Sequence, residues 1–242
     1  MGLGSGGNVD SSGEEIHSYM LQTFCKTPYV IFDVGANKGQ YIDMIYSNLN
    51  SEDYIIHAFE PSNNAFKHLK RNIQGKNLSK IKLNNYGLGS AKGSAILYYD
   101  KSGSGLASLT KRRLDHFNID FGYNENIEVD TIDNYVYRHN IENIDLLKID
   151  VEGHELDVLA GAGNFLEEKI KFISFEFGGC NIDTKTFFQD FYYFFEKYDM
   201  ALYRILPRGK IYRIDSYKEI YEHFRTTNYI ATRLFSINDC VN

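Results

Sequence analysis

Residues 31–60 constrain this chain more than any other stretch. They hold a short apolar run containing Asp33, a turn flanked by Gly35 and Gly39, a helical pattern to Leu49, and a second apolar run closed by Glu60. A run such as YVIFDV, apolar almost throughout, suits a strand buried on both faces, and hence a parallel sheet covered by helices. In FDVGANKGQY the glycines permit positive φ and a close approach of ligand to backbone, where the chain leaves the strand and opens a helix. An acid about twenty residues further on, at the end of the next strand, can accept both ribose hydroxyls of an adenosine. Glycine pairs after strands are common, so the placement of Glu60 carries this reading more than the glycines do.

That acid serves nicotinamide and S-adenosylmethionine enzymes alike, and Asp33 separates them. A pyrophosphate rests at a helix N-terminus because the amides and the dipole favour an anion there. A carboxylate at Asp33 would repel it, whereas S-adenosylmethionine carries an ammonium and a sulfonium and no phosphate. The loop also lacks the third glycine of the dinucleotide fingerprint. A YxxxK pair, Tyr193 and Lys197, suggests a dehydrogenase, but it lies inside an aromatic helical stretch and is expected by chance in a chain with 19 Tyr.

The remaining pattern alternates in the same way. Helical periodicity covers residues 15–25, 39–49 and 61–73, with Pro61 expected in the first turn of the third. Strand patterns cover 54–59, 81–84, 94–99, 145–150, 172–177 and 229–234, and two more strands meet at a turn over 207–209. The prediction is an α/β, doubly wound, mostly parallel sheet with an antiparallel C-terminal hairpin. Residues 1–13 are rich in Gly and Ser and read as a flexible tail, leaving 14–242 as one domain. Residues 101–108 (KSGSGLAS) should form a mobile loop.

Bulk properties exclude some classes. The net charge of −6 argues against a nucleic-acid backbone as main partner. Cys25, Cys180 and Cys240 are scattered and odd in number, which suits reduced thiols in a cytoplasmic protein and offers no zinc cage. No apolar run is long enough for a membrane span, and no signal-peptide pattern is seen.

The densest reactive cluster is LKIDVEGHE, residues 147–155. Alternation buries Leu147 and Ile149, Asp150 reaches the carboxyl end of the sheet, Gly153 permits a sharp turn, and His154 begins a helix. An acidic helix start with no chemistry accounts for an isolated DVEGHE equally well.

Taken together, FDVGANKGQY, HAFEPSNNAFKHLKRNI, NNYGLGSAKGSA, VDTIDNYV and IDLLKIDVEGHELDVLAGA resemble the FkbM-type methyltransferases, over residues 31–177 and in that family's order. The resemblance implies a Rossmann-like class I methyltransferase fold and S-adenosylmethionine-dependent O-methylation. It places Asp33, Gly35, Asn37 and Gly39 at the methionine portion, Glu60 at the ribose, and Asn85 and Tyr86 beside the adenine, with Ala36, Tyr41 and Pro61 also at the cofactor. It turns Asp150, Glu152 and His154 toward the reacting centre. His154 is the first candidate for general base and Asp150 the second.

No metal set is assigned, although Asp150 and Glu176, at adjacent strand ends, could hold a hard divalent cation. The expected acceptor is a sugar hydroxyl, in a nucleotide-activated sugar or a surface-polysaccharide precursor. Two basic runs, Lys111, Arg112, Arg113 and His116, then Arg204, Arg208, Lys210 and Arg213, would suit its diphosphate. RNA or natural-product methylation and a non-catalytic cofactor-binding protein are the rivals. A homo-oligomer contact through the aromatic run 187–198 is a further expectation.

Overall fold

A computed structural model describes residues 12–49 and 53–234. Its strands are β1 (Tyr29–Val34), β2 (Tyr54–Phe59), β3 (Ile81–Asn84), β4 (Gly87–Leu88), β5 (Gly93–Tyr99), β6 (Tyr123–Asp130), β7 (Ile144–Ile149), β8 (Ile170–Phe177), β9 (Ala201–Leu206), β10 (Lys210–Ile214) and β11 (Thr227–Thr232). The helices are α1 (Ile16–Phe24), α2 (Gln40–Asn48), α3 (Asn63–Asn72), α4 (Ile132–His139), α5 (Glu155–Ala160), α6 (Phe165–Glu168), α7 (Cys180–Thr184) and α8 (Phe188–Lys197).

Eight strands form one sheet in the order β10-β9-β11-β8-β7-β1-β2-β3. The β1, β2, β3, β7 and β8 pairings are parallel, as the continuous apolar runs require. The expected antiparallel hairpin, β9 with β10, forms the edge. One arrangement was not legible in the sequence: β11 enters between β8 and β9, antiparallel to both. Strand order reverses at β1, which lies between β2 and β7, so the ligand crevice of an open α/β sheet belongs at the carboxyl ends of these strands.

Helices cover both faces. Phe32, Val34, Leu147, Ile149, Phe175 and Phe177 pack against α4, α5 and α8, while Ile31, Ile56, Leu146 and Phe172 pack against α1, α2 and α3. Each such side chain contributes about 1.5–3 kcal/mol on leaving water. Most of the aromatic surplus is spent here: Phe175 stacks on Phe191 with ring centroids 4.7 Å apart.

Three local expectations change. Pro61 precedes α3 and does not occupy its first turn; Ser62 is the N-cap, its hydroxyl accepting from the Ala65 amide at 3.5 Å. The strand over 94–99 leaves the main sheet and joins a second sheet, β4-β6-β5, because β5 pairs antiparallel with β6 from a distant part of the chain. Ser12 and Gly13, read as tail, are buried, and Gly13 adopts φ +84° where a Cβ would lie 2.4 Å from the Leu206 carbonyl oxygen. The rest of that tail, residues 1–11, and Cys240 lie outside the described residues. Cys25 and Cys180 are free thiols. Among the described residues no helix is long and apolar enough to cross a membrane.

Candidate active site

The ends of β1 and β7 are locked together by backbone. The Asp150 amide donates to the Val34 carbonyl at 2.9 Å. Gly35 follows in a left-handed conformation, φ +85°, with its Cα so close to β7 that an added Cβ would stand 1.8 Å from the Asp150 carbonyl oxygen. The amides of Gly35 and Ala36 both reach the Phe59 carbonyl at 3.0 Å, which ties the loop to β2 as well. Asn37, at φ +46°, then turns its amide to Glu60 Oε2 at 2.8 Å, while Glu60 Oε1 accepts from the Ser62 amide at 2.8 Å.

A cleft opens beside these residues. Gly35, Asn37, Glu60 and Pro61 line it from one side, and Asp150, Glu152 and His154 from another. Leu97, Ile127 and Val129 of the second sheet close an apolar wall, and the loop contributes Ser104, Gly105 and Ala107. That loop is pinned: the Ser108 hydroxyl donates to the Glu152 carbonyl at 2.8 Å, and Thr110 Oγ1 lies 3.0 Å from His154 Nε2. Glu152 itself is left-handed at φ +55°, and Gly153 at φ +102° completes the turn. A non-glycine residue held there stores strain of the kind found at functional turns.

His154 stands before α5 with Nδ1 2.8 Å from Asp157 Oδ2. With Asp157 accepting from Nδ1–H, the lone pair sits on Nε2, the nitrogen that receives the Thr110 hydroxyl. Arg112, expected to grip phosphate, is instead enclosed; it bonds Glu152 at 2.7 Å and Asp183 at 3.3 Å.

Several other expected positions do not face the cleft. Asp33 is fully buried on the opposite face of the strand, 3.5 Å from Lys148 Nζ, with no other donor to its carboxylate among the described residues. The electrostatic reason for preferring a methyl donor therefore does not act through Asp33. Ala36 and Gly39 shape the loop from behind, and Tyr41 is buried with its hydroxyl 2.9 Å from His17 Nδ1. Asn85 donates to the carbonyls of Glu60 and Pro61 at 3.0 and 3.2 Å, and Tyr86 packs its ring edge-on against Phe59. Both support the β2 end from outside the lining.

Sequence reading missed Lys148. All six residues of β7 are buried, so alternation did not mark a lysine that bridges Asp33 and Asp150, the latter at 3.3 Å. A charged residue inside an otherwise apolar buried run was the available signal. Ile127 and Val129 were also missed, because their strand alternates with exposed Asn and Glu and its partner lies far along the chain.

Burial governs the carboxylates. It raises Glu60 to about 7, although the amides of Ser62 and Asn37 pull the other way. Burial and the Asp150 charge raise Glu152 above the usual range, with Arg112 opposing. Lys148 is held well above its ordinary value by Asp150 and Asp33 against its own burial, and stays charged.

For Glu60 the folded state binds more protons than the unfolded state between pH 4.5 and about 7. Stability from this group is therefore lost as pH rises through that window. Buried His17 and His57, lowered to about 3 and about 4, oppose this only below pH 6.5. Thermal melts of ligand-free protein should show Tm falling from pH 6.5 to 7.5, with a shallower fall in Glu60→Gln. A Tm that rises over that interval in both proteins would contradict this account.

The model of the methyltransferase FkbM domain matches residues 33–204, well over half the chain. The chain belongs to the FkbM methyltransferase family. Its sheet and flanking helices have the Rossmann-like class I methyltransferase fold. Methyltransferase 1 of Beauveria bassiana (strain ARSEF 2860) is 26% identical to it over 144 residues, 54% of this chain and 57% of that protein. Among solved structures, methyltransferase FkbM of Methylobacillus flagellatus KT superposes with a TM-score of 0.52 at 16% identity, over 88% of this chain and 47% of that one. SMU.1697c of Streptococcus mutans, assigned as a methyltransferase and solved with SAH, gives 0.50 at 8% identity, over 91% and 97%. The FkbM chain thus spans about half the length of the first two of these relatives.

Proposed function

We propose that this FkbM-family methyltransferase is S-adenosylmethionine-dependent and methylates a hydroxyl of a sugar or similarly polyhydroxylated acceptor. One observation supports it above others: among the described residues the cleft is lined by three carboxylates, Glu60, Asp150 and Glu152, and by no Lys or Arg. A dinucleotide would bring a pyrophosphate into that field, whereas a sulfonium and an ammonium suit it. Asn37 Oδ1, a buried acceptor without a donor, fits the ammonium. Glu60, anchored by two amides, keeps lone pairs for ribose hydroxyls.

The bound donor supplies an electrophilic methyl group; the chain's own residues must position and deprotonate the acceptor. Once the acceptor hydroxyl displaces Thr110 Oγ1 from His154 Nε2, that nitrogen, oriented by Asp157, takes the hydroxyl proton. Loop residues 104–110, tied to the Glu152–His154 turn, restrict water around the reacting atoms. A neutral sugar ring suits the acidic lining. In a nucleotide-activated sugar the diphosphate would lie outside the cleft, toward exposed Lys111, because Arg112 is engaged by Glu152 and Asp183 and Arg113 by Asp115.

Calorimetric titration should show S-adenosylmethionine binding and no NAD binding; the reverse would defeat the proposal. His154→Ala should lower kcat by about 10²–10⁴-fold while leaving methyl-donor affinity nearly intact. Near-wild-type turnover in that variant would remove the histidine role. Turnover with RNA and none with glycosides or nucleotide sugars would overturn the acceptor class.

A further inference from the structure

We propose that Asp150, Glu152 and Glu176 bind one hard divalent cation, of the Mg²⁺ or Mn²⁺ class, beside the cleft that Asp150 and Glu152 line. Asp150 follows the end of β7, Glu176 lies one residue from the end of the adjacent parallel strand β8, and Glu152 is held in the left-handed turn between β7 and α5. Each offers a carboxylate oxygen, and these oxygens lie within 4.8 Å of one another. Oxygens around an octahedral Mg²⁺ at about 2.1 Å stand about 3 Å apart when adjacent and about 4 Å when opposite. Small rotations of the side chains suffice to close the difference.

The local charge is unbalanced in the direction a cation corrects. Lys148 reaches Asp150 but is shared with Asp33, and Arg112 reaches Glu152 but is shared with Asp183. Glu176 has no hydrogen bond or ion pair among the described residues, and it feels the repulsion of Asp150, Glu152 and Glu155. A second observation is independent of the three ligands. Glu155 is fully buried, its Oε1 accepts from the amides of Val151 and Gly153, and its Oε2 has no donor among the described residues. The two cations at these acids, Lys148 and Arg112, are each shared with a further acid, and the Asp150 side chain is 37% exposed and open to a ligand.

The catalytic use of the cation rests on the methyl-transfer reading above; the site itself does not. In that reaction the acceptor hydroxyl oxygen would coordinate the cation, which makes its proton easier to remove. The proton passes to His154 Nε2, the oxygen–methyl bond forms, and the sulfur–methyl bond breaks with its electron pair retained by sulfur.

The test is Mn²⁺ and Mg²⁺ titration of chelator-treated protein without methyl donor, followed by calorimetry and, for Mn²⁺, by electron paramagnetic resonance. One ion should bind with a dissociation constant of about 1 mM or tighter. Glu176→Gln should weaken it by about tenfold or more and leave S-adenosylmethionine affinity unchanged. Because this variant relieves repulsion, its metal-free Tm should equal or exceed that of the parent, so loss of metal binding cannot be assigned to misfolding. Absence of Mn²⁺ binding by the parent protein, or equal binding by the variant, overturns the site. Metal binding by a protein that transfers no methyl group would uphold the site while defeating the methyl-transfer reading.

Discussion

Replacing Lys148 with methionine should cost about 3–5 kcal/mol of folding stability. The side chain is 8% exposed, its Nζ lies 3.5 Å from Asp33 Oδ1 and 3.3 Å from Asp150 Oδ2, and it sits over the Tyr41 ring at 5.3 Å. Methionine keeps most of the apolar stem, so the loss comes from charge. Asp33, with no exposure and no other donor among the described residues, would be left as an uncompensated anion in the core. For a chain of this size the cost corresponds to a Tm lower by about 10 °C.

Asp33→Asn combined with Lys148→Met should recover much of the loss, because the buried charge is then gone. Urea unfolding of the two variants and the parent decides the matter. A loss below about 1 kcal/mol in the single variant would show that the Asp33–Lys148 contact is not what stabilises the strand ends. The lysine is a structural cation here, not a base, since its neighbours keep it protonated.

Gly35→Ala should be nearly as damaging, through geometry. The residue is held at φ +85°, a region that costs a side-chain-bearing residue about 1–3 kcal/mol. The new Cβ would also stand 1.8 Å from the Asp150 carbonyl oxygen, a contact with backbone that no rotamer change relieves. Either β1 or β7 must move, and Asp150 moves with β7. Methyl-donor affinity and turnover should therefore fall together, affinity by about tenfold or more, with at least about 2 kcal/mol lost in stability. Gly75→Ala, at a glycine with nothing within 4 Å of the added atom, is the matched control. It should stay within about 0.5 kcal/mol of the parent. If Gly35→Ala bound the donor normally, the junction of β1 with β7 would not be what shapes the cleft.

Much of this site was legible because its signals are local. The length and apolar character of YVIFDV require a buried strand. Gly35 and Gly39 mark a turn with positive φ, and Gly153 marks another; both turns are there, at +85°, +92° and +102°. Glu60 stands at the end of β2, and Asp150, Glu152 and His154 line the same cleft.

What the sequence could not decide is which way a strand-end side chain looks and what reaches it from elsewhere. Asp33 belongs to the correct strand, yet its neighbour in the parallel register is Lys148, 115 positions away, and the pairing turns both from the cleft into the core. Arg112 looked like a free phosphate ligand until folding set Glu152 and Asp183 against it. The insertion of β11, the second sheet with Ile127 and Val129, and the convergence of Glu176 on Asp150 are likewise products of long-range pairing. By itself the sequence determined the strands, the glycine turns and the set of acids at the strand ends, because those follow from φ preferences and apolar periodicity within a few residues. Only the tertiary structure decided which acids are neutralised and which stay exposed to a ligand, because that depends on charges brought together across the whole chain.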